Sequence, residues 1–199
     1  MVNPTLQEPS LEKLRSGDRA EFARLVDTYS APIYRLGLRM LGNAQDAEDV
    51  LQNTFLKALT HLPEFEGRSS LATWLYRIAA NEALMSIRRK KPEVNLEDLQ
   101  ADDPEADLIP VTFADWSNLP EDELLSEEGK KHLEAAITDL PENLRLVFVM
   151  RDIEGLSIKE TAGALELTET NVKTRLLRAR LQLREHLSAY YGEGLIREE

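Results

Sequence analysis

The chain has 199 residues, 42% of them hydrophobic and 30% charged, with a formal net charge of −12. That length and apolar content suit one domain or two small ones. There is no cysteine, which excludes a disulfide framework, a thiolate metal site and a cysteine nucleophile.

No apolar run is long enough to span a bilayer, so no stable membrane insertion is expected. The first residues lack a basic segment followed by an apolar one, so no secretion signal is expected either. The charge is strongly partitioned. Residues 93–128 carry 13 acids and no base, whereas residues 68–91 carry a net +5 and residues 171–199 a net +2. The acidity therefore belongs to the middle of the chain, and local basic patches say more about partners than the total does.

In chain order, Asp18 and Glu21 stand at capping-box spacing. Phe22, Leu25, Val26 and Tyr29 follow on one helical face, and Ile33, Leu36 and Met40 continue the stripe. Pro32 suits the first turn of a new helix or a kink between two. Gly42 can end a helix and Asn43 can cap the next, which is expected over about Ala44 to Leu62, before Pro63. The segment FEGRSS reads as a loop. Ser69 or Ser70 then caps a helix ending in the basic IRRKK, where Pro92 stops it. Residues 93–126, broken by Pro104, Pro110 and Pro120, read as an acidic linker kept largely extended by charge repulsion.

Helices resume near Ser126. One ends before Pro141, and a second starts at Pro141 and stops at Gly155. Ser157 and Glu160 form a capping box, Ala164 and Leu165 close a short helix, and Thr168 caps a long one running to about Tyr190. Two helices joined by a three- or four-residue turn make a helix-turn-helix. The fold class expected is all-α: two small helical domains, residues 10–92 and 127–191, joined by the linker.

The long helix carries an apolar stripe at Val172, Leu176, Ala179 and Leu183, with basic residues on other faces. Such a helix fits the major groove of duplex DNA, with Thr174, Arg175 and Arg178 able to reach bases and Lys173, Arg180 and Arg184 placed for phosphates. A solvated basic face is the plain alternative. The patch at 68–91 differs in kind, because it mixes Arg with Trp74 and Tyr76, close to Phe65, as unpaired bases require; partial burial of those rings in the core is the alternative. His61, His132 and His186 show no metal-ligand spacing, and there is no phosphate-cradling glycine loop or nucleophile motif. No catalytic residue, metal or cofactor is assigned.

The motifs DAEDVLQNTFLKAL, FEGRSSLATWLYRIAANEAL and LPENLRLVFVMRDIEGLSIKETAGALELTETNVKTRLLRAR, in that order and spacing, resemble the extracytoplasmic-function (ECF) sigma factors of the sigma-70 family. The resemblance covers roughly residues 15–91 and 126–190. It implies a non-enzymatic cytoplasmic protein that binds core RNA polymerase and promoter DNA. It also implies restraint by an anti-sigma factor, which would hold the chain at the membrane where that partner is membrane-bound. The N-terminal domain would be sigma region 2, contacting core polymerase through Asp46, Asp49, Gln52, Phe55 and Leu56. The minus-10 element would be met by Lys57, Phe65, Arg68, Ser69, Ser70, Thr73, Trp74, Arg77 and Asn81. The C-terminal domain would be sigma region 4, meeting the minus-35 element through Lys173, Thr174, Arg175, Leu177, Arg178 and Arg180. Glu166 and Thr170 depart from the family pattern, which often has glycine there. A helix-turn-helix regulator that ignores polymerase, a small helical enzyme and a pure interaction bundle remain as rivals. The first leaves DAEDVLQNTFLKAL unexplained.

Overall fold

The computed structural model describes residues 9–90 and 127–197, and among these residues all regular structure is helical. The expectations for the linker at 93–126 lie outside the described residues. The N-terminal half holds α1 (Leu11–Arg15), α2 (Arg19–Leu41), α3 (Ala44–His61) and α4 (Leu71–Lys90). The C-terminal half holds α5 (Glu127–Asp139), α6 (Glu142–Phe148), α7 (Ile158–Leu165) and α8 (Glu169–Arg197). A single π-helical turn, Val149–Ile153, extends α6 and ends at Gly155, whose φ is 78°.

Asp18 and Asn43 cap their helices as the sequence suggests, but the Asp18–Glu21 capping box does not form, because the Glu21 carboxylate accepts from the Ser10 amide at 2.6 Å instead. Asp18 accepts from the amides of Ala20 and Glu21 at 2.9 and 3.1 Å, and Asn43 accepts from Asp46 at 3.1 Å. Pro32 neither starts nor breaks a helix. It sits inside the 23 residues of α2, where it removes one backbone donor while Leu25, Tyr29, Ile33, Leu36 and Met40 keep the stripe buried on both sides of it. Burial of that face outweighs one lost hydrogen bond. Gly42, at φ 64°, turns the chain from α2 into α3. Gly37 lets the two helices approach, because a Cβ there would lie 3.1 Å from Ala47 Cα.

Helices α2, α3 and α4 pack on one another, α5 lies against α2, and α7 lies against α4. Helix α8 is enclosed by α5, α6 and α7. The buried apolar side chains form one contiguous cluster through both halves, from Leu14 to Leu183. Polar contacts cross the same boundary. Arg145 is 8% exposed; its Nη1 donates to Met40 O at the end of α2 at 2.8 Å, and its Nη2 donates to Leu140 O at 2.7 Å and to Thr138 O. Burial lowers its pKa from the ordinary arginine value. Arg39 reaches Glu134 at 2.9 Å, and Arg35 holds Glu154 through Nε at 3.1 Å and Nη2 at 2.7 Å.

Substituting Arg145→Met removes the donors from three carbonyls at the junction of α2 with the α5–α6 corner. The expected loss is about 3 kcal/mol of unfolding free energy, read from urea denaturation, because the carbonyls stay buried and unmet.

Candidate nucleic-acid interface

Three surfaces carry the residues singled out from the sequence. On α3, Asp49, Gln52 and Leu56 face solvent, and Leu56 is 62% exposed. Leu59, 53% exposed, lengthens this mixed acidic and apolar stripe by one turn. The sequence reading missed it, although it stands at i+3 from Leu56 and i+7 from Gln52. Phe55, expected on the same face, is buried instead: its ring meets Phe22 edge-to-face at 6.4 Å and belongs to the core. The Asp46 carboxylate is held by Lys90 at the end of α4, which leaves Asp46 at the border of the stripe.

The second surface is an open cavity of about 510 Å³ between the end of α3, the loop and the start of α4. Phe65, Arg68, Ser69, Trp74 and Arg77 all line it, joined by His61, Glu64 and Glu66. The Phe65 and Trp74 rings stack at 4.8 Å with a 31° tilt, and Phe65 is only 8% exposed. Arg15 of α1 fixes the loop by donating to Phe65 O at 2.8 Å. Ser70 is the cap of α4: its Oγ accepts from the Thr73 amide at 3.1 Å and shares a hydrogen bond with Thr73 Oγ1 at 2.8 Å. Thr73 is buried, so these two side chains shape the loop without lining the cavity. Lys57 is engaged by the buried carboxylate of Glu82. Asn81 lies in a separate, smaller cavity beside Leu84, Leu165 and Arg175. Lys57, Phe65 and Asn81 are thus not brought into one pocket in this arrangement.

The third surface is the helix-turn-helix of α7, the turn 166–168 and α8. The Ser157–Glu160 capping box is complete, with bonds of 2.8 and 3.1 Å, and Thr168 caps α8 by accepting from Asn171 at 3.1 Å. Glu166 takes the left-handed conformation, φ 57° and ψ 37°, that closes the turn. A residue with a Cβ is strained there by about 1 kcal/mol, which is why glycine is favoured at this place. The expected stripe is buried throughout: Val172, Leu176, Ala179 and Leu183 pack inward. Lys173 is exposed, and Leu177, Arg178 and Arg180 are half-exposed. Thr174 and Arg175 are buried at 6% and 3% exposure. Arg180 is clamped by Asp152 of the π turn through two bonds of 2.8 Å, and this hydrogen bonding raises its pKa further. Asp152 carries no local signal, since it lies 28 residues away and its role exists only once α6 packs on α8. Arg77 on the cavity wall forms an ion pair with Glu166, and α7 rests on α4. The second and third surfaces therefore face each other. Among the described residues no group of His, Asp and Glu could hold a metal ion.

The sequence matches the family model described as Sigma-70 region 2 over residues 25–93, and the one described as Sigma-70, region 4 over residues 130–183. It is 37% identical over 177 residues to the ECF RNA polymerase sigma factor SigW of Bacillus subtilis, covering 89% of this chain and 94% of that protein. It is 34% identical to the RNA polymerase sigma-H factor of Pseudomonas aeruginosa, covering 90% and 93%. In fold, it is similar to CnrH in its complex with the cytosolic domain of CnrY, with a TM-score of 0.64 at 22% identity over 90% of this chain and 95% of that one. It is also similar in fold to the sigma factor RpoE of Bartonella quintana, solved with the anti-sigma factor NepR, at a TM-score of 0.60 and 22% identity over 84% and 97%.

Accepting from Ser157 through side chain and backbone holds the Glu160 carboxyl below the ordinary carboxylate range. Its contribution to stability is therefore present above the unfolded carboxylate value and is lost as pH falls through the folded one. Glu160→Ala should cost about 1 kcal/mol at neutral pH. In melts at stepped pH the gap to the unaltered chain should narrow as the solution becomes acidic enough to protonate Glu160.

Proposed function

The chain belongs to the ECF sigma factors of the sigma-70 family, and on that premise we propose how its surfaces divide the work of bringing RNA polymerase to a promoter. The exposed stripe of α3, with Asp49, Gln52, Leu56 and Leu59, docks on core polymerase. This stripe is the observation that carries the reading. A helix whose own core leaves Leu56 and Leu59 in water has an unused apolar face, and a helix-turn-helix regulator working without polymerase has no need of one.

The cavity walled by Phe65, Trp74 and Arg77 receives a base extruded from the minus-10 element. Extrusion costs a few kcal/mol of pairing and stacking, and stacking on aromatic rings returns about 1–3 kcal/mol. Selective binding of the extruded form opens the strands without a nucleotide-driven step. Helix α8 enters the major groove at the minus-35 element. Leu177 and Arg178 meet base edges there, while Lys173 and Arg180 meet phosphates; Thr174 and Arg175 are buried and are not presented to DNA in this arrangement. Asp152 buttresses Arg180 so that its guanidinium is presented at a fixed angle. The chain acts in the cytoplasm and without catalysis of its own. Among the described residues no helix is long and apolar enough to cross a membrane. Restraint by an anti-sigma factor is supported by the similarity in fold to RpoE of Bartonella quintana, which was solved with the anti-sigma factor NepR.

Mapping transcript starts made by core polymerase with and without the chain tests the whole reading; identical maps would remove it. Leu56→Arg should weaken core binding by at least about tenfold, near 1.4 kcal/mol, with an unchanged melting temperature. Arg178→Ala should cost about 1–3 kcal/mol on the minus-35 element and relax preference at one position. A uniform loss across a panel of sequences would make Arg178 a phosphate contact instead.

A further inference from the structure

The hairpin of α3 and α4 buries a carboxylate that helix packing alone does not require. Glu82, in the middle of α4, is 6% exposed, and Ala79 and Ser86 on the same face are buried with it. The carboxylate is held by the Lys57 ammonium of α3, whose own side chain is 48% exposed. Attraction within such a pair returns about what desolvating the acid costs, and apolar side chains of similar size often join two helices as well or better. Stability therefore does not account for an acid at position 82.

The place of the pair suggests what does. Helices α3 and α4 run antiparallel, with Asp46 on Lys90 at one end and Lys57 on Glu82 nearer the other. Lys57 precedes His61 by one turn of α3, and Asn81 follows Arg77 by one turn of α4. His61 and Arg77 both line the cavity assigned to the extruded base. Lys57 thus stands one helical turn from the cavity wall, about 5.4 Å along the axis, within reach of the nucleotide next to the extruded one.

We propose that Glu82 is a positioning residue that sets specificity for the minus-10 strand: it fixes the Lys57 ammonium as a directed hydrogen-bond donor beside the cavity and offsets its charge, so that Lys57 selects a base edge and does not grip any phosphate. The proposal rests on the reading of the cavity as the site of the extruded base. An ammonium has three N–H donors, and Glu82 accepts from one of them. The exposed part of the group can serve an acceptor-rich edge, such as O6 and N7 of guanine. An untethered lysine samples many rotamers and meets phosphates, which carry no sequence information. Held by a buried acid, Lys57 has its rotamer set before DNA arrives, and its share in counterion release is reduced. The acid therefore lowers affinity for DNA in general and widens the difference between a matching strand and a mismatched one.

The test uses holoenzyme assembled from core polymerase and the full chain. The probes are a fluorescent single strand carrying the minus-10 sequence found by transcript mapping, and the same strand changed at one position at a time. Glu82→Gln keeps the volume and removes the negative charge. It should tighten binding to mismatched strands by about threefold and steepen the salt dependence by about 0.7 in logarithmic slope, as one more effective cation requires. Discrimination should fall at one position of the strand. Lys57→Met combined with Glu82→Leu replaces the pair by an apolar contact. It should melt no lower than the unaltered chain and lose about tenfold in discrimination at that same position. If the apolar double variant folds and still discriminates fully, Glu82 only ties two helices together and the proposal falls. It falls equally if Glu82→Gln leaves both the salt slope and binding to mismatched strands unchanged, a measurement that stands even where the double variant melts early. The unaltered holoenzyme is read first. Equal affinity for every strand strikes the base-extrusion reading, whereas discrimination that survives both variants strikes only the role of Glu82.

Discussion

The guanidinium of Arg145 joins what the sequence keeps apart. It donates to the carbonyl of Met40, where α2 ends, and to carbonyls of the corner between α5 and α6. The last carbonyls of a helix have no partner of their own, and a buried end must find one. A charged side chain that answers carbonyls from both halves fixes where α6 lies on α2. From there the π turn presents Glu154 to Arg35 and Tyr76, and α7 falls on α4. Each later contact between the halves inherits its position from this one.

The same corner organises the helix-turn-helix. The π turn that follows α6 presents two acids with opposite assignments. Asp152 turns toward α8 and steadies Arg180, while Glu154 turns toward α2 and α4. A π turn carries one extra residue within its helical turn, which rotates the following side chains relative to an α-helical continuation. One short irregularity thereby steadies Arg180 on one side and, through the residue that follows it, meets α2 and α4 on the other.

Conflict between local preference and long-range contact marks the places where function concentrates. Glu166 stands in a conformation that suits glycine, and its carboxylate lies on Arg77. Leu56 and Leu59 lie in water although both are large apolar side chains. Chains tend to violate a local rule where a partner or a switch compensates for it.

The sequence by itself determined the helices and most of their caps, although α8 runs on to Arg197 instead of ending near Tyr190 and Pro32 lies inside α2. The stripe of α2, the Asn43, Ser157 and Thr168 caps and the buried face of α8 depend on residues three or four apart, and a periodic pattern at that range is legible before any packing is known. The basic face of α8 was legible only in part: Lys173, Arg178 and Arg180 reach the surface, whereas Thr174 and Arg175, expected away from the apolar stripe, are buried. The tertiary structure decided which side of a borderline helix position is inside and which charged groups meet. Phe55 and Leu59 both border the apolar stripe of α3, and only the presence of Phe22 opposite selects Phe55 for the core. The partners of Arg35, Arg77 and Arg145 lie up to 119 residues away in sequence. Long charged side chains carry no local signature of their partner, because a Coulomb contact depends on distance in space, and that distance was set only when the two halves closed on each other.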